Sequence, residues 1–251
     1  MIGQIARSYM LENSRNSGML IGNLLSTVIF IICSWVCKIF LGNSPETLDY
    51  MIKGQFLPIS IMLLLFSFSF SSATIYLADL KANRTFNWLK RTGISSFTYY
   101  LGMGVGVFLL MNLLLIVLLT GYAMLIPISL QSFIAIILIC NFVLLALYPL
   151  SFILAGLFKN GKVAQSMLVP ILIIFMFSIT MPSLFLTISN NNPQDYYLFL
   201  IWNPMLYLND TLHFQLNLTE STWLPFYQYI FILILLSIVL FIGAKKIYNK
   251  R

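Results

Sequence analysis

His213 is the only histidine of the chain, and Asp210 and Glu220 stand near it, which are the donor types of a three-ligand metal site. A solvated loop explains them better, and no metal site is expected. Cys33 and Cys37 lie one helical turn apart on the same face, with no histidine nearby, and Cys140 is remote from both. They read as packing residues, and no disulfide framework is legible. The run Gly156-Leu-Phe-Lys-Asn-Gly161-Lys162-Val163 imitates the phosphate loop G-x-x-x-x-G-K-[ST]. It fails because Val163 has no hydroxyl for magnesium and because no strand precedes it. No Ser-His or Cys-His pair can meet at a common depth, so hydrolytic machinery is not expected either. Catalytic residues: none.

The residues surrounding these decoys explain why. The chain has 251 residues, 60% hydrophobic and only 8% charged, and a mean hydropathy of +0.92. Soluble domains carry about 25% charged residues. A water-facing surface cannot be built from this composition, which excludes a soluble enzyme, a nucleic-acid-binding domain and a disordered chain. Residues 16–37, 54–78, 92–158, 163–194 and 221–244 contain no Asp, Glu, Lys or Arg. A helical span needs roughly 20 apolar residues. The long third stretch holds two spans, separated near Gly121–Ser132, which contains Pro127. The expected architecture is all-α and integral to the membrane, a single transmembrane domain over 1–251. Its six spans are expected at about 19–41, 55–78, 97–125, 131–157, 163–188 and 226–244. Runs such as Leu109–Leu119 are apolar on every side, which excludes barrel strands.

The net charge of +7 reports topology, not nucleic acid. Of the 14 basic residues, 12 fall in the N-terminal leader, in the connections after spans two and four, and after span six. By the positive-inside rule both termini face the cytoplasm. Residues 1–18 are polar and no cleavage site follows, so the first apolar run is read as a retained span and not a signal peptide. Before it, Ile2, Ile5, Tyr9 and Met10 share one helical side and suggest a short interfacial amphipathic helix.

Within the spans, Ser67, Ser71 and Thr74 recur at helical spacing in span two, with Phe66 and Phe70 on an adjoining face. Hydroxyls in lipid turn toward another helix or a cavity, so these five residues are candidates for packing or for lining a pathway. Gly102 and Gly106 form a small-xxx-small pair that lets helices approach closely. Pro149, Pro170 and Pro182 interrupt spans four and five, where other groups must satisfy the freed carbonyls. No span has an ionisable residue in its middle, which disfavours proton-relay carriers and voltage sensors.

The cytoplasmic connection 79–96 keeps Phe86, Trp88 and Leu89 beside Lys90 and Arg91, with Gly93 as a helix stop. An apolar ridge with a basic skirt suits either a helix resting on lipid or a docking knob. The outer segment 189–225 contains Tyr196–Trp202, apolar but too short to cross, followed by Asn203, Pro204 and Tyr207. A re-entrant or interfacial piece is expected there.

In this order the chain resembles the membrane subunit of a type-2 ABC exporter. The resemblance rests on Thr85, Leu89, Gly93-Ile94-Ser95 and Gly102; on Leu157-Phe158-Lys159-Asn160 with Ala164 and Pro170; and on Asn203-Pro204 with Tyr207. Two positions depart from the family pattern. Lys81-Ala-Asn-Arg84 stands where acidic residues are frequent, leaving only Asp79, and Met103 stands where a lysine is frequent. The resemblance implies a permease worked by a separate ABC ATPase subunit, which holds ATP and magnesium, while this chain binds no cofactor. It implies a second permease subunit, identical or related, with Phe86, Trp88, Leu89, Lys90 and Arg91 as the coupling helix. The implied cargo is hydrophobic or amphipathic, with an exported peptide, such as an antimicrobial or toxin-like one, in first place. A channel or carrier working without ATP, or a permease for drugs or lipid-linked glycans, is the alternative.

Overall fold

The computed structural model describes residues 1–40, 45–83, 85, 93–189 and 191–249. Among them the regular structure is helical throughout, without a strand. Inside a bilayer no water is available to the backbone, so apolar runs of this length close their hydrogen bonds within a helix. Six helices are long and apolar enough to cross a membrane. In chain order the elements are α1 (Ile2–Arg15) and α2 (Ser17–Phe40), then α3 (Thr47–Ala82). Next come α4 (Ser96–Ala123), α5 (Leu130–Leu157) and α6 (Gly161–Ile188). A 3-10 segment Pro193–Leu200, α7 (Pro204–Gln215) and α8 (Phe226–Asn249) complete the chain.

The second span, α3, is the centre of the bundle. Its apolar window is 78% buried, against 11% for those of α2 and α8. It is also longer than the expected 55–78, and it contains two π-helical stretches, Tyr50–Phe56 and Phe66–Ser71. A π turn carries more than 3.6 residues, so it resets the faces of the helix. The hydroxyls expected in one stripe are therefore not equivalent. Ser67 and Thr74 are buried, whereas Ser71 is half-buried.

Apolar side chains gain little by leaving lipid for one another, so close packing and polar contacts hold the helices together. Between α4 and α5, Asn112 and Asn141 exchange side-chain amide hydrogen bonds of 2.8 and 2.9 Å. Between α3 and α4, the hydroxyls of Ser60 and Tyr122 lie 2.7 Å apart. Lys38, at the end of α2, donates to the Leu125 carbonyl just past α4, at 3.0 Å. Pro149 cannot donate to the carbonyl of Leu145 four residues earlier. The Ser237 hydroxyl of α8 donates to that carbonyl instead, at 2.8 Å.

The N-terminal helix packs against the bundle through a narrow face. Its buried residues are Ala6, Tyr9 and Asn13, while Ile2 is 41% exposed and Ile5 is only partly covered. Helix α1 lies along α4, and the two glycines expected to join spans serve this contact. A Cβ at Gly102 would stand 2.8 Å from Ile5 Cβ, and one at Gly106 would stand 3.0 Å from the Ala6 carbonyl oxygen. The Tyr9 ring meets Tyr76 of α3 edge-on, with centroids 5.3 Å apart. Leu, Ile or Val at either glycine would close this seat.

Candidate coupling, pathway and outer sites

The expected docking residues Phe86, Trp88, Leu89, Lys90 and Arg91 lie outside the described residues. Both flanks of that segment are described. Thr85 and Ile94 line one cavity of about 240 Å³ together with Gln4, Ile5 and Ser8 of α1 and Tyr76 and Leu80 of α3. Both flanks therefore lie beside α1 and the end of α3. Gly93 has a φ of +75°, in the left-handed region, and a Cβ there would meet nothing within 4 Å. Backbone conformation, not space, asks for glycine at this stop. Ser95 then caps α4, its hydroxyl accepting from the Thr98 N–H at 3.1 Å.

The second basic connection, between α5 and α6, is the run that imitates a phosphate loop. One of its N–H groups and two of its carbonyls are engaged closely by the end of α3. The Asp79 carboxylate accepts the Gly161 N–H at 2.8 Å. The Lys81 ammonium donates to the carbonyls of Gly156 and Phe158 at 2.8 and 2.7 Å. Asn160 caps α6 by accepting from the Val163 N–H at 2.9 Å.

The five pathway candidates fall in the C-terminal half of α3, between Phe66 and Thr74. Phe66 and Phe70 are buried and meet edge-on at 4.9 Å, and Phe70 continues to Phe175 of α6 at 6.3 Å. The Thr74 hydroxyl bonds back to the Phe70 carbonyl at 2.7 Å. The polar contact from this stretch to another helix is made by a residue outside the expected set, since Ser72 Oγ accepts from Asn23 of α2 at 3.2 Å.

The segment expected on the outer side is a hairpin that folds back into the bundle. Asn203 is fully buried at its tip, where its Nδ2 donates to the Phe175 carbonyl at 2.8 Å. Phe175 lies 13 residues before the end of α6 at Ile188, about 20 Å of helix rise. The Oδ1 of the same Asn203 amide accepts the Met205 N–H at 3.0 Å, so the residue caps α7 at the same time. Pro204, at the first helical position, sacrifices no hydrogen bond. The Tyr207 hydroxyl donates to the Ile201 carbonyl at 2.8 Å and closes the tip. These three residues hold the turn together.

Asp210 was expected in a solvated loop, and the structure overturns this. It sits on α7 and is 1% exposed. Its carboxylate accepts the Tyr229 hydroxyl at 2.6 Å, the Trp223 N–H at 2.9 Å and the Gln194 amide at 3.3 Å. The amphipathic pattern of α7 is weak and its polar residues face inward, so sequence gave no sign of burial. Among the described residues no group of three or more His, Cys, Asp or Glu could hold a metal ion.

His213, one turn further, places Nε2 3.2 Å from the Gly54 carbonyl, which can only accept, so Nε2 carries the proton. Burial holds its imidazole below the usual 6.5, opposed by the Gly54 hydrogen bond and by Asp210. The folded chain therefore takes up the second proton less readily than the unfolded chain. The favourable contribution is complete above the unfolded value and is lost as pH falls below it. The thermal midpoint of the purified protein should drop between about pH 7.5 and about pH 5.5. Part of that drop should vanish in His213→Asn, whose amide can still donate to Gly54. An identical pH slope in the variant would exclude this role.

A family model described as an ABC-2 family transporter protein matches residues 43–245. The chain belongs to the ABC-2 transporter family. It is a multi-pass membrane protein and the permease component of an ABC transporter, a family that works with an ABC ATPase. No curated protein matches the chain. The ABC-2 match begins after α1 and α2, so the seat of α1 on Gly102 and Gly106 comes from the structure alone. Three residues that carried the family resemblance have a local physical task in common. Ser95, Asn160 and Asn203 each cap a helix that starts at a connection.

Proposed function

We propose that this ABC-2 permease is the membrane half of an ATP-driven exporter that moves a hydrophobic or amphipathic cargo, a peptide foremost, out of the cytoplasm or the inner leaflet. Phe86, Trp88, Leu89, Lys90 and Arg91 form the surface that a separate ATPase grips, and ATP and magnesium stay on that ATPase. This chain holds no cofactor and does no chemistry of its own. A second permease subunit, identical or related, completes the pathway. The observation that carries the reading is the position of the basic connection after Asn83 in an ABC-2 chain. It issues from the most buried span, so a push there acts on the centre of the bundle.

Several features support the finer points. The end of the bundle with Lys81, Lys159, Lys162, Lys245 and Lys246 is the cytoplasmic one by the positive-inside rule. The hairpin of Asn203, Pro204 and Tyr207 is then a re-entrant piece on the outer side. The pathway runs along the α3 face bearing Phe66, Ser67, Phe70, Ser71 and Thr74, which opens when α3 tilts away from α6. Aromatic and hydroxyl groups without charge suit a cargo that is apolar with polar edges.

Replacing Trp88 and Leu89 together by alanine should reduce capture of the partner ATPase by about tenfold or more, as loss of a central apolar anchor does. Co-purification of the ATPase with the tagged permease measures it, and membrane insertion serves as the control. Equal capture by the double variant would reject the docking surface.

A further inference from the structure

The inner end of α3 grips the loop between α5 and α6 from both sides, and the two grips have opposite charge. Asp79 sits at the start of α6, where unpaired N–H groups and the helix dipole favour an anion, and accepts the Gly161 N–H at 2.8 Å. Lys81 sits at the end of α5, where unpaired carbonyls favour a cation. Its ammonium reaches Gly156 and Phe158 at 2.8 and 2.7 Å, with Ala155 at 3.5 Å. The fit leaves no slack, because a methyl group on Gly161 would overlap the Asp79 carboxylate. Asp79 itself is exposed and Lys81 half-buried, while Gly161, Ala155 and Ala164 on the loop side are buried, so the clamp closes over a packed part of the loop.

We propose that Asp79 and Lys81 are positioning residues of transport, a two-ended clamp that makes the end of α3 and the α5–α6 loop move as one body. The inference rests on the ATP-driven reading above. A displacement delivered to the connection after Asn83 reaches α3 directly. Through the clamp it also reaches the C-terminus of α5 and the N-terminus of α6, so three spans tilt together. Without the clamp, α3 would move past a stationary loop. The two departures from simple surface chemistry, a carboxylate and an ammonium two residues apart on one helix end, follow from facing two helix termini of opposite polarity.

Hydrogen exchange by mass spectrometry on the complex of this permease with its ATPase in lipid nanodiscs tests it. Exchange is compared between the nucleotide-free and the ATP–vanadate-trapped complex. In the wild type both 75–83 and 156–165 should respond to trapping. In Asp79→Asn and Lys81→Met the response of 75–83 should persist, while that of 156–165 should fall by at least about fivefold. Lys81→Arg should restore it, and Gly161→Ala, which displaces the carboxylate without altering its charge, should reproduce the loss. A purely structural role would change the exchange of 156–165 equally in both nucleotide states. Undiminished responses of 156–165 in the variants, or a wild type in which only 75–83 responds, would overturn the clamp. A wild type in which neither segment responds would overturn the ATP-driven reading itself. If Asp79→Asn does not assemble with the ATPase, Lys81→Met and Gly161→Ala give the decision.

Discussion

Replacing Asp210 by alanine should lower the stability of the folded permease by about 3–5 kcal/mol, the largest effect expected of any single polar substitution here. The carboxylate is buried and serves three donors that belong to different parts of the chain. Gln194 lies in the 3-10 segment, Trp223 in the connection before α8, and Tyr229 in α8 itself. Removing the acceptor leaves the Tyr229 O–H and the Trp223 N–H without an acceptor, and each such group costs about 1–3 kcal/mol where water cannot replace it. The Tyr229 hydroxyl also accepts the Leu224 N–H at 3.1 Å, so the loss spreads along the 221–225 connection. Asp210→Asn should lie between the two, because an amide keeps one acceptor but turns a donor toward donors. Unfolding in detergent, followed by proteolytic cleavage within 217–222, measures the effect. A variant within about 1 kcal/mol of wild type would show that the network contributes only a surface-like amount.

Replacing both Gly102 and Gly106 by valine should release α1 from α4. Overpacking a tight contact costs about 1–3 kcal/mol per site, and here both intrusions point at the same helix. At Gly106 the new Cβ would approach the Ala6 carbonyl and the Tyr9 ring at 3.0 Å. Backbone cannot give way as a flexible side chain can, so the whole helix must lift. Ala6 is 4% exposed in the seated helix. A cysteine placed at Ala6 should therefore resist a water-soluble maleimide in the parent and react in the double variant. Gly22→Val is the control, since a Cβ there meets nothing within 4 Å. Equal labelling of Ala6→Cys with and without the glycine substitutions would mean that α1 is not held by this seat.

Both predictions concern residues that were visible in the sequence but attached to the wrong neighbour. The six helices were legible because lipid offers the backbone no alternative to internal hydrogen bonds, so hydropathy and length suffice. The glycine pair announced a close approach, but periodicity within one helix does not say which helix approaches. The polar residues Asp210 and His213 looked solvated because polarity usually tracks water. In α7 the hairpin brings Tyr229, Trp223, Gln194 and Gly54 around them instead. The stripe of Ser67, Ser71 and Thr74 was drawn at 3.6 residues per turn, and the π turn at Phe66–Ser71 altered that count. The family resemblance was carried by Gly93-Ile94-Ser95, Leu157-Phe158-Lys159-Asn160 and Asn203-Pro204, several of which are helix starts and stops. Such signals are local, which is why they can be read without a structure.

Composition and spacing alone therefore determined that the chain lies in the membrane and how many helices are long and apolar enough to cross it. These are local matters, decided by each segment against its solvent. Tertiary structure alone decided that α1 sits on Gly102 and Gly106, that Ser237 answers the carbonyl freed by Pro149, that Asp79 and Lys81 hold the α5–α6 loop, and that Asp210 is an interior anchor. Each of these pairs residues far apart in the chain. Their partners are chosen by which helix faces meet, and in a solvent as apolar as the side chains that choice is made by shape and buried polar contacts, not by hydrophobicity.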